Sequence, residues 1–116
     1  MEKGEVYEEE LEYLLDYARS LLHFIPLRDS AEIAAGDDAT EEQVQGVTLE
    51  LIGDLIDRGV IVGDQTSGAR EGFVPWNLSK EEALRRVAEE MKSREEDPTD
   101  FVYICWFDLP EQQRKS

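Results

Sequence analysis

The side chains that could do chemistry in this chain are mostly carboxylates. The 116 residues include 28 Asp and Glu, 12 Lys and Arg, a single histidine, His23, and a single cysteine, Cys105. These two are far apart in the sequence, and neither lies in a polar cluster that would activate a nucleophile. The sequence contains no phosphate-binding glycine loop and no GxSxG, HExxH or CxxC motif. A hydrolase with paired carboxylates stays open, but because acids are too abundant for any one pair to stand out, we expect a protein that is not an enzyme.

No pattern of metal ligands stands out among these acids. Residues 36–42, GDDATEE, lack the alternating ligand positions and the central glycine of an EF-hand loop. His23 has no second histidine or cysteine to complete a zinc site. We expect neither a metal ion nor a cofactor, and we expect Cys105 to be a buried thiol without a base to activate it. A single cysteine also excludes an intrachain disulfide, which fits a reducing compartment.

The formal net charge of −16 is the strongest signal in the composition. It exceeds what solubility requires. It makes nucleic acids and anionic membranes unsuitable partners, because phosphate contacts need a basic surface. A field of this sign attracts a basic protein over a distance. An acidic or halophilic proteome would produce the same composition, and the sequence alone does not separate the two explanations.

The acids are concentrated in one part of the chain. Residues 29–64 hold ten acids and one base, whereas residues 79–96 hold six acids and five bases. This asymmetry predicts an acidic surface that recognises a basic partner, with exposed aromatic side chains as further contacts. Ordinary solvated helix faces and aromatic residues at the edge of the core are the alternative interpretation. The candidate partner-binding residues are Asp37, Asp38, Glu41, Glu42, Glu50, Asp54, Asp57, Tyr13, Tyr17 and Trp76.

Residues 40–64 give the best-defined structural prediction. Thr40 and Gln43 form a capping-box pattern at the start of a helix. Apolar residues then recur at intervals of three and four, as on one face of a helix. Gly59 predicts the end of this helix, and the β-branched run that follows predicts a strand over residues 60–63.

Two glycines inside this helix, Gly46 and Gly53, are seven residues apart, so they lie beside the acidic stripe on the same side. Glycine inside a helix costs about 1 kcal/mol relative to alanine. The close approach of a partner, or of another element of the chain, would account for that cost.

The other elements predicted from the pattern are a helix over 4–25 that Pro26 ends, a connection over 27–39 with one helical turn at 30–35, a loop over 64–72, a strand over 73–76, a helix from Ser79 and a strand over 100–108. The last strand is continuously apolar, so we expect it to be central in the sheet. Pro75 indicates that the strand at 73–76 is an edge strand or ends at this residue, because proline cannot donate to a ladder.

Together these elements predict an α+β fold with three main helices and a small antiparallel sheet of about three strands. We expect residues 1–116 to form a single domain, with 110–116 as a frayed tail. No run is long enough to span a membrane, and the N-terminus lacks the basic and apolar regions of a signal peptide. We therefore expect a cytoplasmic protein, and its oligomeric state stays open.

A pattern typical of small bacterial proteins extends over residues 51–79, in the segments LIGDLIDRGVIVGD and GFVPWNLS. The segment FVYICWFDLP near the C-terminus also resembles this pattern. In size, acidity and general pattern the chain resembles the immunity proteins of bacterial contact-dependent inhibition and polymorphic toxin systems. The resemblance implies a small non-enzymatic protein that binds one toxin domain and blocks its active site or its access to substrate. The acidic face implies a basic toxin, such as a nuclease. No functional residue is carried over from the resemblance.

A small regulatory or adaptor domain is the alternative function. The order helix, helix, strand, glycine-rich loop, strand resembles a winged helix, with residues 60–76 as the wing. Reading DNA would place the acids of the second helix near phosphates, which repel them, so the alternative is a winged helix that binds protein. Its exposed contacts would be Tyr13, Tyr17 and Trp76.

Overall fold

Four α-helices and a four-stranded antiparallel sheet form the part of the chain that the structure, a computed structural model, describes: residues 4–65 and 72–110. In chain order the elements are α1 (Glu5–Ala18), β1 (Leu22–His23), α2 (Phe24–Ala35), α3 (Glu41–Asp57), β2 (Ile61–Gln65), β3 (Phe73–Pro75), α4 (Lys80–Ser93), a 3₁₀ helix (Pro98–Tyr103) and β4 (Trp106–Asp108). The α+β class is confirmed, with one helix and one strand more than the sequence predicts.

Helix α3 begins and ends where the sequence predicts. Thr40 Oγ1 accepts a hydrogen bond from the Gln43 amide at 3.1 Å, and Gln43 Oε1 accepts one from the Thr40 amide at 2.9 Å. At the other end Gly59 adopts a φ of 102°, a left-handed conformation that glycine takes at little cost. The helix packs against α1, α2 and α4, so it joins the other three.

The prediction of one helix over residues 4–25 is wrong. Helix α1 ends at Ala18, Leu21 takes a left-handed φ of 77°, and the two-residue strand β1 precedes α2. Pro26, predicted to end a helix, is the third residue of α2. The first amides of a helix have no acceptor within it, so proline is tolerated there. Residues 27–39 therefore contain most of a helix instead of the predicted connection.

The strands are ordered β1-β4-β2-β3, and all neighbouring pairs are antiparallel. Strand β3 lies at an edge of the sheet, as Pro75 predicts. Strand β4 lies between β1 and β2, which confirms the central position predicted for the last strand.

The predicted extent of that last strand, residues 100–108, is wrong. Only Trp106–Asp108 is strand, and Pro98–Tyr103 forms the 3₁₀ helix. This turn buries Phe101 and leaves Tyr103 75% exposed. A continuous apolar run does not by itself distinguish a buried strand from a buried helical turn, and the turn occurs here.

Aromatic side chains from three elements meet in the core. The Phe24 ring centroid lies 5.8 Å from that of Phe101 and 6.2 Å from that of Phe107. All three side chains are fully buried. Cys105 is a buried thiol, as predicted.

Two predictions fall outside the described residues: most of the loop over 64–72, and the tail after residue 110. Among the helices that are described, none combines the length and apolar character needed to cross a membrane.

Candidate functional site

The connection between α2 and α3 and the first turn of α3 carry three exposed acids, Asp37, Asp38 and Glu42, which we call the acidic turn. Gly36 ends α2 with a φ of 100°, and Asp37 and Asp38 follow in a turn. All three side chains of the acidic turn are exposed. Within residues 4–65 and 72–110 none of them makes an ion pair or a side-chain hydrogen bond. Their charges are therefore available to a partner.

Glu41, the fourth candidate at this connection, is bound within the chain. Its carboxylate accepts hydrogen bonds from Arg28 Nη1 at 2.8 Å, from Arg28 Nη2 at 2.6 Å and from Gln45 Nε2 at 2.8 Å. The bonds from Arg28 are the main cause that lowers the pKa of Glu41 below its ordinary value. Glu41 is therefore ionised at pH 7 and joins α3 to α2.

Arg28 is a structural residue that sequence reasoning missed. It is buried, its Nε donates a hydrogen bond to Glu32 at 3.0 Å, and its guanidinium carbon lies 5.2 Å from the ring centroid of Phe101. The available signal was an arginine inside the apolar segment FIPLRDSA, because a buried arginine requires a nearby acid.

Asp54, on the outer face of α3, is tied to helix α1. It accepts a hydrogen bond from the hydroxyl of Tyr7, a buried residue of α1. Burial is the main cause that raises the pKa of Tyr7, followed by the bond and charge of Asp54 and then by the charges of Glu50 and Glu8. Carboxylates of α1 and α3 therefore share one surface around this phenol.

Asp57 is paired with helix α4. Lys80 Nζ lies 2.9 Å from each carboxylate oxygen of Asp57. Gly53 packs against α4, and a Cβ added there would make ordinary contacts with Lys80 Cε at 3.4 Å and Leu84 Cδ1 at 3.7 Å, so this packing does not require a glycine. Gly46 has nothing within 4 Å of its Cβ position. Glu50, on the same face, is exposed and makes no ion pair or side-chain hydrogen bond with another described residue.

The three candidate aromatic residues lie in two different places. Tyr13 and Tyr17 contact each other edge to face, with ring centroids 5.9 Å apart, as their spacing predicts. Tyr13 is 50% exposed and Tyr17 is half-buried. Trp76 donates a hydrogen bond from Nε1 to Asp64 Oδ1 at 3.0 Å, and the guanidinium carbon of Arg86 lies 3.9 Å from its ring centroid. The indole of Trp76 thus has a polar partner, and Trp76 is engaged within the chain.

His23 and Cys105 are closer in space than in sequence. His23 pairs with Trp106 across β1 and β4, and Trp106 follows Cys105 in the chain. Burial raises the pKa of the Cys105 thiol and lowers that of His23, although the charge of Asp29 partly opposes the second shift. The raised pKa disfavours the thiolate, which is the nucleophilic form of Cys105. In the described part of the chain, no three His, Cys, Asp or Glu side chains are grouped to hold a metal ion.

The ten candidates therefore do not converge on one site. The acidic turn and Glu50 are exposed and have no partner among the described residues, whereas Glu41, Asp54 and Asp57 hold helices together. The tyrosine pair borders a groove between α1 and α2. Sequence reasoning missed the α2 side of this groove, because it predicted residues 27–39 as a connection.

No protein-family model matches the sequence, and comparison with curated proteins and with solved structures gives no significant match.

Proposed function

We propose that this protein binds and neutralises a basic protein, in the manner of the immunity proteins that it resembles. The observation that carries the proposal is the unpaired state of the acidic turn and of Glu50, within a segment, residues 29–64, that holds ten acids and one base. That base, Arg58, lies 3.4 Å from Glu12 of α1. Arg58 therefore pairs with an acid of helix α1 and does not neutralise the acids of the acidic turn.

A partner with cationic side chains would stabilise such an acidic surface. Like charges held on one protein repel one another and destabilise the compact state. A basic partner removes that repulsion, and complementary fields also speed the encounter of two proteins. Surfaces that bind nucleic acid are basic because they must hold phosphates. A nuclease toxin is therefore the partner class that fits this charge.

The proposed mode of action is occlusion without chemistry. The acidic turn and Glu50 cover the basic surface on which the toxin holds its substrate, and the toxin is inactive while the complex lasts. This role requires neither a cofactor nor a metal ion. Its place is the cytoplasm, where a nuclease toxin meets nucleic acid.

Co-expression with the product of the neighbouring gene in a bacterial host tests the proposal. We expect that product alone to stop growth, co-expression to restore it, and the two proteins to purify as a complex. A variant carrying Asp37→Lys and Glu42→Lys should fail to restore growth. A neighbouring product that has no effect on growth, or that forms no complex, would remove the proposal.

A small adaptor domain is the second candidate function. The order of α2, α3, β2 and β3 follows the winged-helix alternative, and the 50% exposure of Tyr13 offers an apolar contact. An adaptor of this kind binds its partner through Tyr13, so its affinity persists at high salt. Neutralisation through the acidic turn predicts the opposite dependence on salt.

A further inference from the structure

A groove of about 500 Å³ lies between α1 and α2. This α1–α2 groove is lined by Glu10, Tyr13 and Tyr17 from α1 and by Pro26, Asp29 and Ile33 from α2. Residues three and four apart share one face of a helix, so each helix presents one continuous side to the groove. The volume is within the range of about 300–1,000 Å³ that is usual for ligand pockets.

Two large side chains that line the α1–α2 groove are exposed to solvent. Ile33 is 57% exposed and Tyr13 is 50% exposed, although both are large apolar side chains. Isolated exposed apolar residues are ordinary on a protein surface, but two of them in one concave region indicate a place where something binds. The aromatic ring of Tyr13 supplies a π-face as well as apolar area.

Two carboxylates stand beside this apolar surface. The buried hydroxyl of Ser30 donates a hydrogen bond to Glu10 Oε1 at 2.7 Å, which fixes the carboxylate of Glu10 in place. Asp29 is exposed and makes no ion pair or side-chain hydrogen bond with another described residue. A fixed carboxylate and a free carboxylate are therefore present in one groove with two tyrosines.

None of the seven residues that line the α1–α2 groove, the six above and Ser30, is basic. The two nearest arginines in the sequence are committed to other acids: Arg19 lies 3.6 Å from Asp16, and Arg28 lies 2.6 Å from Glu41. Burial lowers the pKa of His23, so its imidazole is neutral at pH 7 and does not offset the charge of Asp29. Among residues 4–65 and 72–110, no basic side chain that lines the groove compensates its negative charge.

We propose that the α1–α2 groove receives an arginine side chain of the basic partner. The guanidinium stacks on Tyr13 and pairs with Asp29 and Glu10, while its aliphatic stem lies along Ile33. This inference rests on the proposed function, because it names the group by which the basic protein is recognised at a second place, away from the acidic turn.

Arginine fits this combination of groups better than lysine does. Its planar guanidinium binds a carboxylate through two parallel hydrogen bonds and stacks on an aromatic ring at the same time. It is also less strongly hydrated than an ammonium group, so it loses less on entering a partly apolar groove. Arginine and aromatic residues are the side chains that most often dominate the affinity of an interface.

Titration of the ¹⁵N-labelled protein with the capped peptide acetyl-Ala-Arg-Ala-amide, followed by amide chemical shifts, tests the proposal. We expect saturable shifts within residues 10–33. The same peptide with citrulline, which keeps the shape and removes the charge, should bind at least about tenfold more weakly. Tyr13→Leu and Asp29→Asn should each weaken the arginine peptide by about fivefold.

Two matched variants control for general effects. Tyr103→Leu changes an exposed tyrosine on the 3₁₀ helix, and Glu89→Gln removes one exposed charge from α4; neither should alter peptide binding by more than about twofold. The amide spectrum of each variant reports whether it is folded. Shifts spread over all the acidic surfaces, equal binding of the citrulline peptide, or no effect of Tyr13→Leu would each overturn the proposal.

The complex with the neighbouring gene product separates this proposal from the proposed function. If Asp37→Lys with Glu42→Lys weakens that complex and Tyr13→Leu does not, neutralisation stands and the groove has no part in it. If the groove binds the arginine peptide and no basic protein forms a complex, the groove stands and neutralisation fails.

Discussion

The carboxylate of Glu41 accepts two hydrogen bonds from the guanidinium of Arg28, which lies 13 positions earlier, at distances of 2.8 and 2.6 Å. The pair joins the first turn of α3 to α2, and the chain between them carries Asp37 and Asp38. An internal ion pair thus fixes the base of the acidic turn, while the outer acids of that turn stay unpaired. Glu41 therefore has a structural role, whereas the neighbouring Asp37 and Asp38 face a partner in the proposed complex.

Replacing Arg28 with methionine should lower the free energy of unfolding by about 2 kcal/mol, because it leaves the carboxylates of Glu41 and Glu32 without their partner and removes the contact with Phe101. Urea denaturation measures the change. Arg19→Met is the matched control: that side chain is 43% exposed and 3.6 Å from Asp16, so its loss should cost less than about 0.5 kcal/mol. Equal losses in the two variants would contradict a structural role for Arg28.

Glu41→Gln should make stability depend less on pH. The pKa of Glu41 is lowered in the folded protein, so its ionised form stabilises the fold at pH above its ordinary value of 4.5, and this contribution is lost as the pH falls toward the folded value. We expect wild type to exceed the variant by about 1 kcal/mol at pH 7 and the difference to shrink below pH 4.5. Thermal unfolding across this range gives the difference.

Glu42→Gln is the control for this pH dependence, because Glu42 is the neighbouring acid and is unpaired among the described residues. It should change stability by no more than about 0.5 kcal/mol at any pH. A gap between wild type and Glu41→Gln that stays constant through the acid range would argue against the Arg28 ion pair as its source.

Two glycines should respond to alanine in opposite directions. A Cβ at Gly63 would overlap the carbonyl oxygen of Val74 and lie 2.9 Å from Pro75 Cα, so Gly63→Ala should cost about 2–3 kcal/mol by forcing β2 and β3 apart. Gly46 has nothing within 4 Å of its Cβ position inside α3, so Gly46→Ala should stabilise the protein by about 1 kcal/mol. Urea denaturation of both variants decides the point, and a stabilising Gly63→Ala would contradict the packing of the β2–β3 pair.

Features governed by neighbours in the sequence could be predicted. Both capping boxes are present: Thr40 with Gln43, and Ser79 with Glu82, whose amide and side-chain bonds are 3.1 and 3.2 Å long. The left-handed Gly59 and the edge position of Pro75 follow from the same local rules. These features depend on the residue type and its immediate backbone, so one sequence is enough to place them.

Features governed by tertiary packing could not be predicted. Nothing local indicates that Leu21 takes a left-handed conformation and divides the predicted first helix. Part of the apolar run near the C-terminus is buried as a 3₁₀ helix and not as a strand. The periodicity of a short apolar run does not distinguish these two structures. The contact of Asp54 with Tyr7 joins residues 47 positions apart, so the sequence did not reveal that this candidate is internal.

The most direct test of the central claim is the salt dependence of the affinity between this protein and the product of the neighbouring gene, measured for wild type and for two charge reversals. Asp37→Lys with Glu42→Lys changes the acidic turn, and Glu89→Lys with Glu96→Lys makes the same change in the nearly neutral segment over residues 79–96. We predict that wild-type affinity falls at least about tenfold from low to high salt, that reversal in the acidic turn causes a similar loss at low salt, and that the α4 reversal stays within about twofold. An affinity that is independent of salt, or equal losses in the two variants, would contradict recognition through the acidic turn.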